Sequence, residues 1–95
     1  MKGYIVFNKE KTLDAAEMAA YTDKVASTFV GHDIKVLAAY GKHEVLEGEP
    51  TEGVVIAEFP TVEAAKAWYE SQEYREVRKH RHNGAIYRAI LVEGV

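Results

Sequence analysis

Short apolar runs alternate along this chain with stretches in which apolar residues recur every three or four positions. Four of the runs are rich in β-branched and aromatic residues and are bounded by glycine, proline or polar residues, a pattern typical of strands. The predicted strands cover residues 4–7, 34–40, 54–59 and 86–92, and residues 43–46 could briefly continue the second. The run at 54–59 is the most strand-like, because it begins with three consecutive β-branched residues. Pro60 ends it.

The first stretch with helical spacing follows the first strand. Thr12 is a suitable N-cap for a helix there, and Gly31 is a suitable stop. Between them, four apolar residues fall on one side of the predicted helix, and they are Met18, Tyr21, Val25 and Phe29. We therefore expect an amphipathic helix that packs this stripe on a sheet.

Further helical segments lie between the third and fourth strands. Thr61 can cap a helix that runs to residue 70, and Ser71 can cap a second piece that continues to about residue 82. Asn83 and Gly84 follow and suit a left-handed C-cap. The element order is β-α-β-β-α-β, the split unit of a ferredoxin-like α+β fold.

This order predicts a four-stranded antiparallel sheet with its helices on one face. Strands one and three would be central, and both are apolar at successive positions instead of alternating. Since the helices cover one face only, the other face would leave an apolar patch in water. A second copy of the chain is the simplest cover, so we expect a homodimer.

Composition and charge narrow the classes of function. The 95 residues are enough for one domain, which we expect to span residues 1–95. The net charge of −3 argues against nucleic acid and against an acidic membrane surface as partners. There is no cysteine, which excludes disulfides, thiolate nucleophiles and cysteine-bound metals. The amino-terminal residues have the pattern of neither a signal peptide nor a membrane span, so we expect a cytoplasmic protein.

Several short motifs together resemble one protein family. They are VLEG at residues 45–48, EFPT at 58–61, AWYESQEY at 67–74, and LVEG at 91–94, with Arg78 and Arg81 before the last. In this combination the chain resembles domain-of-unknown-function family 1330, although Gly53 stands where arginine is frequent in that family. The resemblance implies a dimeric α/β barrel, in which two ferredoxin-like sheets face each other. That superfamily includes cofactor-free oxygenases, isomerases, haem-handling enzymes and ligand-sensing domains, so it leaves the activity open.

One helical face carries the candidate ligand-binding residues. Tyr74, Arg78 and Arg81 are spaced i, i+4 and i+7, and two guanidinium groups with a phenol could hold a carboxylate or phosphate. The alternative is that the two arginines form a solvated or ion-paired face near a helix C-terminus. Tyr40 and Tyr69 could also line a pocket.

Candidate catalytic groups are fewer. Glu58 lies in an apolar strand and could act as a general base, or could pair with an arginine such as Arg88. His43 lies beside the second strand, at an expected pocket rim. These residues leave two hypotheses open, a small-molecule-binding dimer that engages an anionic metabolite, and a cofactor-free enzyme that acts on a small metabolite.

We predict neither a metal nor a cofactor. His80 and His82 are two residues apart, so a helix would point them to different sides. No phosphate-binding glycine loop, serine nucleophile motif or dinucleotide fingerprint is present. The basic run at residues 75–82 lacks the interleaved aromatic residues of a nucleic-acid site, and a solvated helix face is expected there.

Overall fold

The computed structural model describes residues 1–95. Its elements follow the predicted order, with the last helical segment divided in two by a tight junction at Glu70 and Ser71. The strands and helices are β1 (Gly3–Thr12), α1 (Ala15–Val25), β2 (Lys35–Ala39), β3 (Gly53–Phe59), α2 (Val62–Tyr69), α3 (Gln72–Gly84) and β4 (Ala85–Glu93), with a 3-10 turn at Ala26–Phe29 after α1.

The four strands form one antiparallel sheet in the order β2-β3-β1-β4. This is the ferredoxin-like α+β fold expected from the sequence, and β1 and β3 are central as predicted. Alternation along the strands divides their side chains between two faces. The face under the helices holds Ile5, Phe7, Ala57 and Phe59, which are all buried.

The opposite surface, which we call the helix-free face, is apolar with a few charged or amide side chains. Its charged and amide members are Glu58, Arg88, Lys35 and Asn8. Half-buried or exposed apolar side chains make up most of it, and they are Tyr4, Val6, Val54, Ile56, Ile90 and Val92. The two-sided apolar character predicted for β1 and β3 therefore corresponds to one face packed on helices and one face left open in the single chain.

Trp68 on α2 is at the centre of the core. It is 2% exposed, and its ring packs against Phe7, Phe59 and Tyr74, with centroid separations of 6.4, 5.7 and 4.0 Å. Its indole nitrogen donates a hydrogen bond to the Thr28 hydroxyl at 3.1 Å. The stripe predicted on α1 and the turn after it is confirmed, since Met18, Tyr21, Val25 and Phe29 all belong to this core or pack on it.

The predicted N-cap of α1 is wrong by two residues. Asp14 is the cap, and its carboxylate accepts hydrogen bonds from the backbone of Ala16 and Glu17. Thr12 instead ends β1, where its hydroxyl and backbone N–H both donate to Glu52 and lower the pKa of that carboxyl. β1 extends beyond the apolar run because β4 continues to pair with it up to Thr12.

The predicted left-handed C-cap at Gly84 is also wrong. Gly84 is the last residue of α3 and does not have a positive φ, and extended backbone follows at Ala85. Glycine is needed there for space, because a Cβ would lie 2.9 Å from Met18 Cγ and 3.0 Å from the Met18 nitrogen. The Gly84 carbonyl accepts hydrogen bonds from the backbone of Leu13 and Asp14, which fixes the start of α1 against the end of α3.

The possible strand at residues 43–46 does not form. Residues 41–50 make an exposed connection that pairs with no strand, and it includes Gly48 at a positive φ. Gly31 also has a positive φ, and it ends the turn that follows α1. None of the three α-helices has the length and apolar character needed to cross a membrane.

Candidate functional site

A cavity of about 200 Å³ lies between the helix-covered face of the sheet and the helices. Twelve of its thirteen lining residues are hydrophobic, and the exception is Arg81. Six of them are aromatic and come from both the sheet side and the helix side, and they are Phe7, Tyr21, Phe29, Tyr40, Trp68 and Tyr87. An apolar cavity of this kind can hold a small organic molecule, since about 150 Å³ is enough for benzene.

Arg81 is a buried cation without a counter-ion. It is 3% exposed, and none of the ion pairs in the chain includes it. Its guanidinium carbon lies 5.3 Å from the ring centroid of Phe7 and 4.9 Å from that of Tyr87. Its Nη2 donates to the Tyr69 hydroxyl at 3.4 Å, whereas its Nε has no hydrogen-bond partner. A buried arginine normally finds an anion, so these contacts leave it available to one.

Tyrosine hydroxyls surround this guanidinium in two pairs. The Tyr21 and Tyr74 hydroxyls are 2.9 Å apart, and those of Tyr40 and Tyr87 are also hydrogen-bonded. Burial, followed by the partner tyrosine, raises the pKa of Tyr21 and of Tyr87 well above the ordinary value. Burial also raises the pKa of Tyr74, although the Arg81 charge opposes this shift. The hydroxyls of Tyr21, Tyr74 and Tyr87 therefore stay protonated at neutral pH and can serve as hydrogen-bond donors.

The three residues predicted to share one helical face go to different places. Of Tyr74, Arg78 and Arg81, only Arg81 lines the cavity. Tyr74 is fully buried behind it, with its hydroxyl on Tyr21. Arg78 stacks on the Tyr69 ring at 4.4 Å and lies 3.7 Å from the Glu70 carboxylate. Arg78 and Arg81 are three residues apart and therefore about 60° apart around the helix axis, which separates the two guanidinium groups, whereas Tyr74 is almost in line with Arg81, two turns earlier.

Arg81 also borders a second, more open depression, which we call the outer groove. This space of about 410 Å³ lies beside the first half of β4 and is lined by Tyr69, Arg81, His82, Ala85, Ile86, Tyr87 and Ala89. His82 Nε2 lies 3.5 Å from the Arg81 guanidinium. Burial, then the charges of Arg81 and Arg78, lower the pKa of His82. The imidazole is therefore neutral around pH 7. Arg81 is the only charged residue that lines the first cavity, which we call the inner cavity.

The two candidate catalytic residues lie outside the cavity. Glu58 is on the helix-free face, where it accepts a hydrogen bond from the Tyr4 hydroxyl at 3.2 Å. It does not pair with Arg88, because Arg88 is opposite Asn8 on the far side of β1. His43 is exposed in the connection after β2, and its Nε2 lies 2.9 Å from the Thr51 carbonyl. Neither residue is among those that line the cavity.

The histidines of α3 have separate partners. His80 Nδ1 lies 2.6 Å from a Glu17 carboxylate oxygen on α1, whereas His82 faces Arg81. No group of three or more histidine, aspartate or glutamate side chains is arranged to hold a metal ion. The basic run at residues 75–82 is not uniformly solvated, since Arg81 within it is buried.

Tyr40 and Tyr69 were both predicted as pocket residues, and each lines one of the two spaces that Arg81 borders. Tyr40 lines the inner cavity and Tyr69 the outer groove. Tyr21 and Tyr87 were not predicted as site residues. Their spacing in the sequence is that of ordinary core positions, and nothing in it distinguishes a tyrosine that lines a cavity from one that fills the core. Whether any of these residues binds a ligand stays a prediction.

Comparison with known proteins identifies the fold and a family. The model of a domain of unknown function, DUF1330, matches residues 2–95. A protein of unknown function from Rhodopseudomonas palustris superposes with a TM-score of 0.78 at 24% identity, over 99% of this chain and 82% of that one. A dimeric ferredoxin-like protein of unknown function from Bacteroides fragilis gives a TM-score of 0.66 at 12% identity, over 98% and 96%.

SnoaB, a cofactor-independent oxygenase from Streptomyces nogalater, is also similar in structure. Its TM-score is 0.65 at 12% identity, and the match covers 99% of this chain and 93% of that one. At these identities the similarity concerns the fold. No curated protein matches the chain in sequence.

Proposed function

Since the chain belongs to the DUF1330 family, whose function is unknown, we propose a function from its own cavity, namely that the protein binds a small organic monocarboxylate there without turnover. The observation that carries the proposal is the buried, unpaired guanidinium of Arg81 at an apolar cavity. An apolar body would fill the cavity, and a carboxylate would neutralise the cation by charge-assisted hydrogen bonds.

The charge of the site favours a monoanion. Arg81 is the single charged residue of the cavity lining, and His82 beside it is neutral at pH 7 because its pKa is lowered. Arg78 already has a carboxylate within 3.7 Å, that of Glu70. A phosphate dianion would therefore enter an apolar space with half of its charge uncompensated, which is costly.

The contents of the cavity favour binding over catalysis. Glu58 and His43, the groups considered for acid–base work, are not part of its lining. Burial raises the pKa of the Tyr21 and Tyr87 hydroxyls, so these two groups are donors and poor bases at neutral pH. A general base must lie within hydrogen-bond reach of the proton that it removes, and no such group lines this space.

We also propose that two copies associate through the helix-free face to form a dimeric α/β barrel. Ile90 and Val92 are 48% and 49% exposed on this face in the single chain. Burying such side chains against a second sheet would contribute roughly 25 cal/mol for each Å² of apolar surface removed from water. The dimeric ferredoxin-like protein from Bacteroides fragilis, with the same fold, supports this assembly.

A thermal-shift and calorimetry experiment tests the ligand proposal. The probes are benzoate and hexanoate, a ring and a chain of suitable size, with benzamide as a neutral counterpart and inorganic phosphate as a dianion. We expect a monocarboxylate to stabilise the wild-type protein, by about 2.7 kcal/mol at one hundred times its Kd. Benzamide and phosphate should stabilise it little.

Arg81→Met is the informative variant, and Arg78→Met on the same helix is its matched control. Arg81→Met should fold, because it replaces a buried unpaired charge by an apolar side chain of similar length. It should lose carboxylate affinity by about tenfold or more, whereas Arg78→Met should keep it. Equal losses in both variants, or no stabilisation of the wild type by either carboxylate, would contradict the proposal.

A further inference from the structure

Two tyrosines from opposite edges of the sheet meet at one end of the cavity. Tyr40 follows β2 and Tyr87 lies in β4, and both central strands run between them. Their hydroxyls are nevertheless hydrogen-bonded, so the two side chains together span the width of the sheet. We call them the tyrosine bridge. Both residues line the same cavity as Arg81.

The local backbone is adapted to this arrangement. Tyr40 is the only non-glycine residue with a positive φ, at 57°, a conformation that is unfavourable for a residue with a Cβ. Its ring lies against Gly53 on β3, where a Cβ would come within 2.5 Å of Tyr40 Cδ1. The Lys9 ammonium is 5.0 Å from the ring centroid. The absence of a side chain at Gly53 thus gives Tyr40 its path across the sheet.

The bridge has one hydroxyl proton that is not used within it. Two phenols carry two O–H protons, and one of these makes the hydrogen bond between them. Burial raises the pKa of Tyr87, and the bond with Tyr40 raises it further, so the proton stays on at neutral pH. The remaining O–H can donate to a third group. The guanidinium carbon of Arg81 is 4.9 Å from the Tyr87 ring centroid, and Arg81, Tyr87 and Tyr40 line the same cavity, so the cation and this donor border one space.

We infer that the tyrosine bridge is the second half of the anion site: its free phenol proton donates to the same carboxylate that Arg81 binds. This inference rests on the ligand proposal above and adds a selectivity to it. A carboxylate offers acceptors only, which suits a guanidinium and a phenol on either side. A primary amide of the same shape would turn its N–H donors towards one of the two.

The shared proton gives the bridge a distinctive mutational signature. If Tyr40→Phe or Tyr87→Phe is made alone, the remaining hydroxyl loses its partner but keeps its proton, which it can donate to the ligand. Each single variant should therefore stay within about threefold of the wild-type affinity for benzoate or hexanoate. The double variant has no donor left at this end of the cavity and should lose about tenfold or more.

Tyr4→Phe is a matched control, because it removes a tyrosine hydroxyl from the helix-free face, away from the cavity. Gly53→Ala combined with Tyr87→Phe provides a second route should the double phenylalanine variant fail to fold. The new Cβ displaces the Tyr40 ring together with its hydroxyl, and Tyr87→Phe removes the other hydroxyl. The same loss is therefore expected.

The outcomes separate this inference from the ligand proposal. If neither benzoate nor hexanoate binds the wild type, the ligand proposal fails and the bridge has no anion to meet. If Arg81→Met abolishes binding while the double bridge variant stays within threefold, the ligand proposal stands and this inference is overturned. A single variant that loses as much as the double one would also overturn it, since a shared proton predicts losses far from additive.

Discussion

The two faces of the sheet come from the same four strands but differ in the kinds of side chain that cover them. The covered face packs against a cluster of aromatic side chains, in which Trp68 of α2 alone contacts five other rings. The helix-free face carries β-branched residues such as Val54 and Ile90, interrupted by Glu58 and Arg88. Large flat rings packed at varied angles leave a gap, whereas small branched side chains make an even surface.

This difference separates two kinds of recognition. The covered face has a cavity with one unpaired cation, which suits a small molecule with one negative charge. The helix-free face is broad and apolar, with opposite charges at Glu58 and Arg88, which suits a second protein surface. A strand with alternating side chains can therefore serve a ligand on one side and a partner chain on the other.

The largest expected effect is on the covered face. Trp68→Ala should reduce the free energy of unfolding by about 3 to 5 kcal/mol, because it removes the ring at the centre of the core and leaves a cavity. Val92→Ala, on the helix-free face, should cost less than about 1 kcal/mol in the monomer, since Val92 is half-exposed there. Urea denaturation at protein concentrations below the dimer dissociation constant measures both, and similar costs would contradict the contrast between the two faces.

An intermediate effect is expected on association. Ile90→Asp places a carboxylate in the proposed dimer contact, and we expect the dimer to dissociate at least tenfold more readily while each chain stays folded. Val30→Asp is the control, because Val30 is 84% exposed away from the sheet. Sedimentation equilibrium gives the dissociation constants. A wild-type monomer at micromolar concentration, or equal effects of the two changes, would exclude this interface.

The smallest expected effect is on the pH dependence of stability, and it comes from His82 in the outer groove. Burial and the neighbouring arginines lower the pKa of His82, so the folded protein binds less proton at this site than the unfolded chain does. Stability is therefore full above pH 6.5, the ordinary value for histidine, and falls as the pH drops from there through the lowered folded pKa, because the unfolded chain takes up the proton first. His82→Gln should remove that part of the slope. Denaturation midpoints from pH 5 to 8 check it, and identical slopes in both proteins would contradict it.

Local signals in the sequence were sufficient for most elements. Thr61 and Ser71 cap their helices as predicted, because a hydroxyl before a helical stretch satisfies backbone N–H groups within its own first turn. Thr12 failed as a cap because Asp14 competes for the same role and Glu52, forty residues away, binds Thr12 instead. Gly84 suggested a left-handed turn, yet its small size is used for contact with Met18. Long-range contacts contribute to both errors, with Glu52 for Thr12 and with Met18 for Gly84, and Asp14 adds a local competitor to the first.

What the sequence determined by itself is the ferredoxin-like fold, its element order and which strands are central, because hydrophobic periodicity and helix caps act between near neighbours. The tertiary structure decided that Arg81 is buried while Arg78, one turn away, pairs with Glu70 at the surface. It also decided that Tyr40 and Tyr87 meet across the sheet. Neither arrangement has a local signal, since each depends on how α3 docks on the sheet and on the space left over Gly53.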